Sequence, residues 1–201
     1  DDAGWVNNNP SFGRVAWAGI DANLDGPIDV FVSANFTGHT TEIGIHAPGD
    51  GANISPNTTT IGSAFKIYTP TGENYNFRPV DLSIDGGDTN DLSAGSEGDV
   101  DYYVSFMVPF ADVVSYLDSK SITINDQSPL RFLVATSTQD NSLNQDIGGV
   151  TGAPSPDDPW TDIGGLTDPV TPGTGPLVPE PSSSLLALLS LGVGLLLRRR
   201  Y

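Results

Sequence analysis

The segment Asp21-Ala22-Asn23-Leu24-Asp25-Gly26-Pro27-Ile28-Asp29 sets carboxylates and an amide at alternate positions. In this D-x-N-x-D-G-x-x-D spacing, oxygen donors can converge on one Ca²⁺. The candidate ligands are Asp21, Asn23, Asp25 and Asp29, with the Pro27 carbonyl at the seventh position. Gly26 permits the sharp turn such a loop needs. Position twelve is Val32, where an EF-hand carries a bidentate Glu, and a strand follows at once instead of a helix. The segment is therefore the ligand half of a calcium loop, or an Asp/Asn/Gly turn that leads into a strand. A second acidic stretch, Asp85 to Asp91 with Glu97 to Asp101, reads as a solvated loop.

The two histidines, His39 and His46, match no zinc spacing, and neither has a nucleophile motif beside it. Two carboxylates could pair for glycoside hydrolysis, but sequence cannot choose them among so many acids. The expectation is a protein that is not an enzyme. Among the aromatics, Tyr102 shares the apolar parity of its strand and Tyr103 points the other way. Tyr103 is thus the candidate platform for stacking on a sugar, while most of the other aromatics serve core packing.

Charge narrows the partners. The chain has 25 Asp and Glu against 8 Lys and Arg, a net of −17. Residues 1–177 hold 24 of those acids and 5 of the bases, so the body is strongly anionic and the tail mildly cationic. Such a body repels phosphate backbones, which excludes nucleic acid as a partner, and it can attract divalent cations. There is no cysteine, so disulfides, a Cys nucleophile and thiolate metal sites are all excluded. The chain opens at Asp1 without a secretory leader, and the reading is of a mature or N-terminally incomplete sequence.

These residues must be positioned by strands. Ile28 to Phe36 and Val100 to Val108 alternate at period two. Glu42 to His46, Ile61 to Tyr68, Ser121 to Ile124 and Leu130 to Thr136 are shorter candidates. Between Tyr75 and Ile84 the apolar parity switches near Pro79, which predicts a bulge or an edge strand. Phe110 to Leu117, behind Pro109, has helical spacing. Short strands, turn signals and one small helix predict a mainly β domain, an antiparallel β-sandwich or jelly-roll, over residues 1–166. Residues 167–177 read as a Pro/Gly/Thr linker.

The tail has three parts in order. Val178-Pro179-Glu180-Pro181 is rigid and extended, as an enzyme groove that reads backbone requires. Leu185 to Leu197 carries no charge, and counted from Ser182 it spans roughly 24 Å as a helix. A single membrane-spanning helix in lipid is expected there, with Arg198, Arg199 and Arg200 as the cytoplasmic stop-transfer cluster. This arrangement resembles the PEP-CTERM sorting signal of exopolysaccharide-producing bacteria, a segment also known as an ice-binding-protein C-terminal domain. The resemblance implies an exosortase as partner, recognition at Val178 to Pro181, and processing near that motif. It further implies an exported protein, membrane-anchored by 185–197 before processing and then at the cell surface or outside the cell. For the body, the leading expectation is a surface or matrix protein associated with exopolysaccharide. A calcium-stabilised carbohydrate-binding module comes second and a secreted hydrolase third.

Overall fold

The computed structural model describes residues 13–37, 41–51, 54–58, 60–79, 102–152 and 155–171. Eight strands and two helices are found among them. The strands are β1 (Val15–Asp21), β2 (Val30–Asn35), β3 (Glu42–Pro48), β4 (Ile61–Tyr68), β5 (Tyr75–Pro79), β6 (Tyr102–Phe106), β7 (Arg131–Ser137) and β8 (Ile147–Gly148). The helices are α1 (Phe110–Asp118) and the single turn α2 (Trp160–Ile163).

Six strands form one antiparallel sheet in the order β4-β3-β2-β1-β7-β8, and β5 and β6 form a separate two-stranded sheet. Strands β1 to β4 are a simple meander. β7 then adds to the free side of β1, with Trp17 opposite Ala135. The mainly β body with two antiparallel sheets stands, but the expected jelly-roll is corrected. A jelly-roll distributes successive strands between two comparable sheets, whereas here the first four stay side by side in one.

The reason lies in what covers the large sheet. On one face α1 buries Val113, Tyr116 and Leu117 against Ile20, Val30, Val32 and Ile45. Beside it the β5-β6 hairpin turns Tyr75, Phe77, Val104 and Phe106 onto Ala34, Phe36 and Ile43. On the other face Val15, Trp17, Phe31 and Leu133 pack under the loop residue Leu143 and under Trp160 at the start of α2. A helix, a hairpin and loops thus do the work of a second sheet. In β4, Phe65 is an extra residue in the pairing with β3, so the register slips between Ile45 and His46. This lets both Phe65 and Lys66 reach α1. Phe65 lies edge-on to Tyr116, and Lys66 Nζ is 2.7 Å from Asp112.

Residues 121–124 form no strand. Ser121 takes a left-handed φ of 63° after α1, and Ile122 N–H donates back to the Leu117 carbonyl. This closes the helix and drops Ile124 into its cluster. Beyond β8, Val170 pairs with Leu130 through two backbone hydrogen bonds of 2.8 and 3.0 Å.

The expected transmembrane helix, and the membrane-anchored stage of localisation that depended on it, are also corrected. Among the described residues no helix is long and apolar enough to cross a membrane. The longer has nine residues, about 14 Å of rise against a hydrocarbon core of about 30 Å. Residues 185–197 lie outside the described set.

Candidate functional site

The loop after β1 brings Asp21, Asn23, Asp25 and Asp29 together, but their donors are turned largely onto the protein itself. Asp21 is fully buried, and its Oδ2 accepts from Gly26 N–H at 3.1 Å and from Arg131 Nη1 at 3.2 Å. Asp29 Oδ2 accepts from the backbone amides of Ala22 at 2.8 Å and Asn23 at 3.3 Å. Asn23 and Asp25 close on each other, side chain to side chain and side chain to backbone. Leu24 adopts a left-handed φ of 64°, and its carbonyl accepts from the same Arg131 nitrogen at 3.0 Å. Gly26, at φ 104°, makes the turn as expected of a residue without Cβ.

Arg131 therefore supplies a positive charge next to the buried carboxylate. It belongs to β7, which pairs with β1 so that Arg131 stands opposite Asp21. The loop motif alone did not reveal it, because the residue lies 110 positions away. Asp21 Oδ1 is buried and has no hydrogen-bond partner. Burial, more than its like-charged neighbours Asp25 and Asp21, holds the Asp29 carboxyl above the ordinary range, against the lowering effect of its two amide bonds. Among the described residues no group of three or more acidic or histidine side chains is arranged to hold a metal ion. Pro27 is exposed in the same loop.

His46 on β3 meets Ser33 on β2, with Nε2 2.8 Å from Ser33 Oγ. The pair has the outline of a base and nucleophile, but Ser33 is 1 % exposed, so no substrate can reach its hydroxyl. The ring lies edge-on to Trp17 at 5.1 Å. Gly44 makes this possible, since a Cβ there would stand 2.4 Å from His46 Nε2. Desolvation holds the His46 pKa below its usual value, against the opposing pull of Asp140 and a hydrogen bond to the Gly62 backbone. Because the folded state resists the proton that the unfolded chain accepts near pH 6.5, stability is fully present above that pH. It is lost as the pH falls through about 6.5 towards the depressed folded value. Urea titrations from pH 7.5 downward should show this loss, and His46→Gln should flatten that part of the profile. A profile equally steep in the variant would assign the effect to another group.

The β5-β6 hairpin carries the aromatic candidates. Tyr102 is 55 % exposed and stacks on Phe77 at 5.0 Å, while Tyr103 is 38 % exposed with the Arg78 guanidinium 5.3 Å from its ring centre. In the pairing register Asn76 faces Ser105 and Arg78 faces Tyr103. These four residues alternate with the core-facing Tyr75, Phe77, Val104 and Phe106, so they share the outer face. Two hollows flank the hairpin. One, of about 510 Å³, is an apolar groove between Phe106 and the Ala16, Ala18 and Val134 surface of the large sheet. The other, of about 250 Å³, is lined by both polar and apolar groups and lies where β5 begins and β6 ends, beside the turn at residues 72–74.

Val178, Pro179, Glu180 and Pro181, the arginines 198–200, His39 and the acidic stretch from Asp85 to Asp101 lie outside the described residues. No curated protein and no solved structure matches the chain. Residues 177–200 match the family model of the PEP-CTERM protein-sorting motif. That match covers the tail alone and marks the chain as an exported, sorted protein, whose body the structure shows to be β-rich.

Proposed function

We propose that an exosortase reads Val178-Pro179-Glu180-Pro181, processes the chain there, and delivers a non-enzymatic acidic body that associates with exopolysaccharide at the cell surface. The observation that carries this reading is the sorting-motif match over residues 177–200. The buried Ser33 hydroxyl, which is closed to substrate, supports a role without catalysis. So does a body whose charge would favour solubility in a hydrated matrix.

Intact-mass measurement of the protein from its native host tests the sorting. The expected mass lacks everything beyond the Pro-Glu-Pro region, and Pro179→Ala with Glu180→Gln should leave the full tail in place. Recovery of wild-type protein ending at Tyr201 would sink the proposal.

A second reading, a calcium-stabilised carbohydrate-binding module, draws on two features. One is the exposed aromatic hairpin. The other is the buried, unpartnered Oδ1 of Asp21, the donor a cation would use in competition with Arg131.

A further inference from the structure

We propose that the outer face of the β5-β6 pair binds a neutral saccharide, with one sugar ring in the pocket where β5 begins and β6 ends and the next against Tyr103. The proposal rests on the exopolysaccharide reading above and names the residues that would make the contact.

The pocket is lined by Glu73, Asn74, Tyr75, Asn76, Ser105 and Met107 among others. Its frame is fixed locally. Asn74 Oδ1 accepts from Thr71 N–H at 2.7 Å, Asn74 Nδ2 donates to the Thr69 carbonyl, and Met107 N–H donates to the Asn74 carbonyl at 2.9 Å. What the frame presents is unspent hydrogen-bonding capacity. The Oδ1 of Asn76, on the outer face, is buried and has no partner. A buried polar atom without a partner costs about 1–3 kcal/mol, so this acceptor in the pocket wall points to an occupant that satisfies it.

The chemistry selects the ligand. A sugar hydroxyl can donate to Asn76 Oδ1 or the exposed Glu73 carboxylate and accept from Ser105. The C–H face of a sugar ring has an apolar counterpart in Met107, which is 60 % exposed. The net charge of −17 disfavours an anionic polymer. A volume of about 250 Å³ lies just below the roughly 300–1,000 Å³ of drug-sized sites, which suits a single ring. Ser105 and Tyr103 stand two residues apart on the same face of β6, about 7 Å by strand rise, so a chain leaving the pocket along the strand meets the Tyr103 ring.

The test is affinity electrophoresis of the full chain in gels holding a neutral β-glucan, a galactomannan, dextran, alginate, or the matrix polysaccharide of the native host. Retardation by at least one neutral polymer, little changed by salt and absent with alginate, is expected. Asn76→Ala, Glu73→Gln and Tyr103→Ala should each weaken it by roughly tenfold, equivalent to about 1.4 kcal/mol, while leaving the melting temperature unchanged. Retardation that none of these variants alters would overturn the site while leaving the matrix association standing. Absence of retardation in every neutral gel would also overturn it. The processing assay is read independently of either result.

Discussion

Arg131→Met is expected to destabilise the fold by about 3 kcal/mol, the scale for breaking a buried ion pair from one side. For a chain of this size that is a fall of roughly 6–12 °C in melting temperature. The guanidinium is the cation bonded to Asp21, whose side chain is wholly buried while Arg131 is only 27 % exposed. Methionine keeps much of the stem's volume but leaves a carboxylate in the interior with one amide donor and no counter-charge. The same change frees the Leu24 carbonyl, which is held out by a left-handed backbone. Asp21→Leu added to Arg131→Met should recover part of the loss, because removing both partners leaves no orphaned charge. A single-variant loss under about 1 kcal/mol would show that water already screens the pair. Calcium provides the second arm. If the loop also takes a cation, millimolar calcium should raise the melting temperature of Arg131→Met more than that of the wild type, since the competing charge has gone. Equal temperatures with calcium and with chelator in both proteins would remove calcium from the account.

Leu117→Ala should cost a comparable amount, about 2–5 kcal/mol by analogy with other buried leucines. Leu117 is fully buried at the centre of the cluster that joins α1 to Ile20, Val30, Val32 and Ile45. Among the described residues no second large sheet stands behind the helix to collapse into the vacated space. The loss should therefore appear as a lower urea midpoint with an unchanged slope. Amide exchange should quicken in α1 and in β2 and β3 beneath it. A cost below about 1 kcal/mol would mean that the helix is a peripheral ornament and that the face is held by the hairpin alone.

Both predictions turn on features that were unevenly legible. Period-two alternation located β2 and β6, shorter candidate runs located β3, β4 and β7, and helical spacing located α1 to within a residue of its observed end. β1 gave no such signal, although it is a central strand. Val15 and Trp17 pack on one side and Ala16 and Ile20 on the other, so both faces are apolar and the alternation vanishes. Without β1 the strands read as a jelly-roll, since nothing revealed one sheet organised around a shared middle strand. Residues 121–124 erred in the other direction. Ser-Ile-Thr-Ile has strand composition, but the reversal after α1 takes its backbone hydrogen bonds.

The loop motif showed which oxygens gather after β1 and left open whether they gather on a metal. The outer face of the hairpin was half legible. Alternation separated Tyr103 from Tyr102, but the pocket beside it depends on which residues of β5 lie opposite β6.

What the sequence by itself determined was whatever is read along a short stretch of chain. It located most strands and the helix through the repeat of their side chains, and the Pro-Glu-Pro sorting motif through prolines that restrain the backbone without help from elsewhere. Only the tertiary structure decided that Arg131 meets Asp21, that His46 rests over Gly44 against Ser33, and that a helix and a hairpin cover the sheet. Each of those depends on strand order and register. They are set by the free energy of burying both faces of the sheet at once, a sum over distant residues that no local pattern records.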